Sequence, residues 1–274
     1  VIRDLFEYGR MRAAVVGDEN IFDYSLGNPS IPAPAEVNET IRELLSDTDS
    51  LALHGYTSAI GDLETRKAIS DDLNRRYAIA TRPESFFLGS GAAPELIAVI
   101  RALAVENAEI LAIAPYFPEY KPFCEANGCT FKVVPPDLPG FQINFGALES
   151  LLTPNTQAII LNSPNNPAGV VYTRETLTVL GELLAKKSAE YGHPIYIISD
   201  EPYRELVYGD VSVPYIMNYY ANTIVCYSYS KSLSLPGERI GYIAVSDTAF
   251  DAKNLYFAIC GAGRSLGYVC APSL

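Results

Sequence analysis

The chain has 274 residues, 49% of them hydrophobic, which is enough for one large core and allows one or two domains. Its 32 acidic against 20 basic side chains give a formal net charge of -12, which argues against nucleic-acid and anionic-membrane partners and in favour of small molecules. No apolar run reaches membrane-spanning length, since the most apolar helical stretch, residues 96–105, is short and interrupted by Arg101.

The opening VIRDLFEYGRMR is charged and amphipathic and lacks the apolar centre and cleavage site of a signal peptide, so a cytoplasmic location is expected. Its period predicts a helix over 3–15. SLGNPSIPAPAEV is Pro-rich and loop-like, and helical period resumes over 35–45. Further helices are predicted over 62–77, 94–104, 117–126 and 174–191. In the first of these, Leu63, Ala68, Ile69, Leu73 and Tyr77 recur near helical spacing while Glu64, Arg66, Lys67, Asp71 and Asp72 supply the polar face, a packing stripe rather than a site. Short apolar runs predict strands over 85–88, 110–114, 131–134, 158–162, 195–199, 223–227 and 241–245. Alternation of the two element types gives an α/β class with parallel strands and crossover helices. The nearly continuous hydrophobicity of the strands suits a sheet covered on both faces.

Five cysteines form no CxxC pair; Cys124 and Cys129 are close and the rest scattered, so free, mostly buried thiols are expected. His54 and His193 stand apart from every cysteine, so no metal site is expected. The chain starts at Val1 without a methionine and stops at Leu274, where the apolar GYVCAPSL has no obvious cap or polar tail. It reads as a piece of something longer.

In open α/β sheets ligands bind beyond the carboxyl ends of the strands, and residues suited to one ligand follow five predicted strands in turn. After 85–88 comes GSGAAPEL, where Gly89 and Gly91 permit close backbone approach and a helix N-terminus offers amides to a phosphate. After 110–114 comes PYFPEY, whose Tyr116, Phe117 and Tyr120 either offer a flat face to a planar ring or pack the core. After 158–162 comes NSPNNPAG, in which an Asn amide can donate to a phenolate oxygen, although a structural turn explains most of it. After 195–199 comes DEPYREL, where Asp200 inside an apolar core needs a partner such as a protonated pyridine nitrogen, and Tyr203 falls one turn later. After 223–227 comes SYSK. Lys231 among small hydroxyl residues, followed eight positions on by Arg239, is what a pyridoxal phosphate site needs: an amine for the aldehyde, with Ser228, Ser230 and Arg239 as phosphate donors.

SYSK through GERIGY, NNPAG and DEPY together resemble the class I/II aminotransferases, the aspartate aminotransferase-like branch of fold type I pyridoxal phosphate enzymes, over nearly the whole chain. The resemblance implies a large domain with a mostly parallel seven-stranded sheet between helices, residues 31–274 forming the cofactor-binding domain and 1–30 an N-terminal segment of the small domain or dimer arm. It implies that Lys231 carries the Schiff base and moves the substrate proton, that Asp200 partners the pyridinium nitrogen, and that Asn166 and Tyr203 hold the phenolate oxygen. Phe117 is similar to the aromatic that stacks on the ring. Gly91, Ala92, Ser228 and Arg239 resemble the phosphate cradle. Tyr56, in HGYTSAIG, is similar to a tyrosine that reaches the neighbouring subunit's phosphate, which implies a homodimer with shared sites. Gly27 and Asn28 fall where relatives run a loop past the substrate carboxylate. The family's substrate-carboxylate arginine belongs to a C-terminal small domain, on the order of 100 residues, that is largely absent here. Arg264 does not take that role on charge alone.

The implied activity is amino-group transfer between an L-amino acid, aspartate among the candidates, and a 2-oxo acid. Two other readings keep the same cofactor residues or scaffold: a C–S β-lyase and a non-catalytic, cofactor-binding regulator domain.

Overall fold

In the computed structural model, which describes residues 2–24 and 27–268, the apolar runs of the sequence form one seven-stranded sheet. Its first strands are β1 (Phe86–Gly89), β2 (Glu109–Ile113) and β3 (Thr130–Val134). A separate two-stranded hairpin, β4 (Pro136–Asp137) with β5 (Gln142–Ile143), precedes β6 (Thr156–Asn162), β7 (Tyr196–Asp200), β8 (Thr223–Ser228) and β9 (Gly241–Val245). The spatial order is β1-β9-β8-β7-β6-β2-β3, and only β9 runs antiparallel to its neighbours. The expected mostly parallel sheet is therefore present, and each expected strand lies within two residues of its predicted bounds.

The helices are α1 (Ile2–Val16), α2 (Ala35–Asp47), α3 (Ser50–His54), α4 (Leu63–Tyr77), α5 (Ala92–Ala102), α6 (Tyr120–Ala126), α7 (Phe145–Leu151), α8 (Arg174–Tyr191), the single turn α9 (Tyr229–Ser232) and α10 (Ala252–Ser265). Alternate residues of each strand enter different cores, which is why the strands read as unbroken apolar runs. Leu111, Ile159, Ile197 and Val225 share one core with Leu73 of α4, Leu148 of α7 and Leu180 of α8. Ile110, Ala158, Ile198 and Ile224 share the other with Leu96 of α5, Cys124 of α6 and Ile259 of α10. Cys124, Cys129 and Cys226 are buried free thiols and Cys260 is partly buried, while Cys270 lies outside the described residues.

Local chemistry explains the sharp boundaries. Thr173 caps α8 by accepting from the Thr176 amide at 3.1 Å, and Gly192 ends it in the left-handed region at φ 77°. Asp62 caps α4 in the same way. Four helices escaped prediction. α3, α7 and α9 are under two turns long, and the Gly261 and Gly263 of α10 interrupt its apolar period. The helix expected from residue 117 starts only at Tyr120, behind Pro118. The apolar tail ending at Leu274 lies outside the described residues, and among those described no helix is long and apolar enough to cross a membrane.

Gly181 of α8 shows how closely the helical layer is seated. A Cβ there would lie 2.4 Å from the backbone oxygen of Tyr219. Gly181→Ala is therefore expected to destabilise the protein by about 1–3 kcal/mol, despite the roughly 1 kcal/mol that Ala gains over Gly within a helix. Urea unfolding checks this, and an unchanged or raised stability would contradict the packing described.

Candidate active site

Asp200 ends β7 with 5% of its surface exposed. The Tyr120 hydroxyl donates to its Oδ2, and its buried Oδ1 has no hydrogen-bond partner. Burial pushes its pKa up to about 7; the Tyr120 hydrogen bond opposes that rise and the neighbouring Glu201 adds to it. A buried carboxyl oxygen without a donor costs free energy that a protonated ring nitrogen would recover.

Asn166, Asp200, Tyr203, Ser228, Lys231 and Arg239 line one cleft of about 250 Å³, with Ala92 and Phe117 also on its walls. Five strand or helix ends deliver them. After β6, the Asn166 amide donates to Asn162 Oδ1 at 2.6 Å, and Asn162 Nδ2 donates to the Asp200 carbonyl at 2.8 Å, tying the β6 and β7 ends together. The Asn166 side chain then donates to Tyr203 Oη at 3.3 Å. Burial raises the Tyr203 pKa, with the Asp200 charge adding to it and the Asn166 donor opposing it.

Lys231 rides on α9, which Ser228 caps by accepting from the Ser230 amide at 3.2 Å. Its Nζ donates to the carbonyl of Gly27. Partial burial lowers its pKa, and the charge of Arg239 lowers it further, which favours the neutral amine that attacks an aldehyde. Arg239 takes a left-handed backbone, φ 56°, and aims its guanidinium back at the turn before α5, with Nη2 donating to Ser90 O at 2.9 Å. Gly91, φ 92°, must be glycine for two reasons: its conformation, and the position of an added Cβ only 2.6 Å from Arg239 Nη2. Arg239 and the free amides at the start of α5 thus converge on one spot suited to a phosphate.

Two of the expected residues stand apart. Tyr56 is 94% exposed and outside the cleft, and Asn28 is exposed beside Gly27. Tyr116 packs edge-on against Phe131, with ring centroids 5.1 Å apart, so of its two readings the core one holds. Tyr120, read as a ring face or a core residue, is buried in the core and also supplies the hydroxyl that donates to Asp200. Sequence reasoning also missed Glu201 and Arg204. These form a buried ion pair at 2.6 Å, and the guanidinium sits 4.5 Å from the Tyr227 ring centroid and 5.1 Å from that of Tyr215. This pair anchors the segment that carries Tyr203. A buried cation three residues after an acid was its one sequence signal.

A lysine of lowered pKa, a buried acid with an open oxygen and a guanidinium beside a helix N-terminus gather at the strand ends of a three-layer α/β sheet, where such folds bind small molecules. The family model "Aminotransferase class I and II" matches residues 19–260, and the chain belongs to that family, whose enzymes use pyridoxal phosphate. The chain is 31% identical over 241 residues to an aspartate aminotransferase of Thermotoga maritima, covering 87% of this chain and 61% of that protein. It is 27% identical over 267 residues to aromatic-amino-acid aminotransferase 2 of Thermococcus litoralis, covering 94% and 64%. It therefore spans a little over three fifths of these curated relatives. Among solved structures, an amino transferase from Eubacterium rectale superposes with a TM-score of 0.96 at 57% identity, covering 100% of this chain and 69% of that one.

Because the folded-state pKa of Asp200 lies above its ordinary 3.8, the folded chain keeps a proton that the unfolded chain releases, and stability falls as pH rises between those values. Asp200→Asn removes that loss. The cofactor-free variant is expected to exceed the wild type by a few kcal/mol at about pH 8 and to match it near pH 4. Urea unfolding at the two pH values reads the gap, and a gap independent of pH would refute the buried-acid assignment.

Proposed function

We propose that this chain forms the cofactor-binding part of an aminotransferase that moves an amino group between an L-amino acid, with aspartate a candidate donor, and a 2-oxo acid. The observation that carries the reading is the unpartnered Oδ1 of Asp200 in the same cleft as Lys231. The residues present fit pyridoxal phosphate. When bound, the cofactor supplies an aldehyde that condenses with amines and a protonated ring that accepts the electron pair left at the substrate α-carbon.

The protein's share of the work follows from the residues. Asp200 Oδ1 would accept from the ring nitrogen and favour its protonated form, with Tyr120 holding the carboxylate in place. Asn166 and Tyr203 would donate to the ring's phenolate oxygen, and Phe117 would stack on the ring. The amides of Gly91 and Ala92, the Ser228 hydroxyl and Arg239 would hold the phosphate. Lys231, neutral at lower pH than an ordinary lysine, takes the proton from the α-carbon and returns it on the other side of the exchange. Gly27, whose carbonyl accepts from Lys231, and the neighbouring Asn28 would flank the substrate carboxylate. The exposed Tyr56, Phe22 and Tyr24 support a second copy of the chain docking here and sharing the site, with residues 1–30 as its arm.

Lys231→Ala in the full-length protein is expected to lower amino-group exchange by at least about 10³-fold while cofactor still binds non-covalently. Exchange is followed as amino-acid-dependent formation of the 2-oxo acid in the presence of an acceptor. Turnover within tenfold of the wild type would remove Lys231 from the chemistry.

A further inference from the structure

Glu95 stands in the first turn of α5, 1% exposed, and neither carboxyl oxygen has a side-chain hydrogen-bond partner; the backbone amide of Tyr227 on β8 is the one donor that acts on it. It makes no ion pair with a described cation. Two glycines make room for it. A Cβ on Gly89, the last residue of β1, would lie 2.8 Å from Glu95 Oε1, and one on Gly241, the first of β9, would lie 2.5 Å from the same oxygen and 3.0 Å from the Cα of Gly91. The carboxyl therefore fills a slot between two strand ends directly beneath the turn that enters α5. Gly91 thus carries the Arg239 guanidinium on one side, while Gly241 lies close both to the Cα of Gly91 and to the Glu95 carboxyl.

The groups that act electrostatically with Glu95 are Asp200 on β7, Cys226 on β8, Tyr229 on α9 and Arg239 beyond β8. β1 and β9 present glycine to it. Burial, then the Asp200 charge, raise its pKa well above the ordinary carboxyl value, with Arg239 and the backbone amide of Tyr227 opposing them. The neutral form fits the surroundings, since an ionised Glu95 would be a desolvated charge beside another carboxylate.

We propose that Glu95 is a positioning residue of the phosphate cradle: as a neutral acid it wedges the turn into α5 against the start of β9, and its ionisation weakens phosphate binding at alkaline pH. The proposal rests on the cofactor reading above. Ionisation acts in two ways: the charge repels the phosphate dianion through the same turn, and it partly cancels the field of Arg239.

The test compares wild type with Glu95→Gln and Glu95→Ala in the full-length protein. A carboxyl whose folded-state pKa is raised contributes stability that is lost as pH rises above its unfolded value, so in urea the cofactor-free wild type must lose ground to Glu95→Gln from about pH 5 upward. Pyridoxal phosphate affinity, read from the cofactor's absorbance, must fall by at least about tenfold more in the wild type than in Glu95→Gln as pH is raised from neutral into the alkaline range. Glu95→Ala must bind weakly at every pH, because its slot is empty. Cofactor binding with parallel pH profiles in wild type and Glu95→Gln overturns the inference and leaves the proposed function standing, whereas no binding by the wild type at any pH overturns both. A Glu95→Gln chain that fails to fold also overturns it, since a neutral isostere must fit a slot made for a neutral acid.

Discussion

Asp200 sets the terms for this end of the sheet. A carboxyl buried at a strand end in an apolar core costs several kcal/mol unless its oxygens are answered, and the fold answers one of them, with the Tyr120 hydroxyl, and leaves the other open toward the cleft. The open oxygen stores a demand for a donor that a bound cation-bearing ring satisfies. Its position is fixed by β7 between parallel neighbours and by the Asn162 bond to its carbonyl. The demand is therefore aimed in one direction.

Around that oxygen the remaining groups are mounted on elements that cannot drift far. Lys231 sits on a single turn capped by Ser228, and Tyr203 lies between Glu201 and Arg204, whose ion pair is buried with the guanidinium among tyrosine rings. Gly91 and Arg239 interlock so closely that a methyl group on the glycine would meet the guanidinium. Preorganisation of this kind is what cofactor chemistry asks of a protein, since the cofactor supplies the electronics and the chain supplies direction and charge.

Much of this was legible in the sequence. A sheet covered on both faces writes its strands as unbroken apolar runs, and β9 was bounded to the residue; α8, with a Thr cap and a terminal Gly, announced both its ends. The clustering was legible because ligands in such sheets gather at strand ends: Asn166, Asp200 and Lys231 stood in order along the chain, and they line one cleft. What could not be read depends on pairings distant in sequence. That Tyr120 reaches Asp200 eighty positions away, that Arg204 lies against Tyr215 and Tyr227, and that Gly89 and Gly241 clear space for Glu95 are facts of packing. α10 was hidden by its own glycines. Tyr56, marked for the site by resemblance, is exposed and does not line the cleft of its own chain.

The central claim is that Lys231 is the one amine this scaffold presents to pyridoxal phosphate, and borohydride reduction of the full-length protein with the cofactor, followed by peptide mass spectrometry, tests it most directly. The account predicts a phosphopyridoxyl group on Lys231 and on no other lysine. Labelling spread over surface lysines, or a folded protein with Lys231 unmodified, would contradict it.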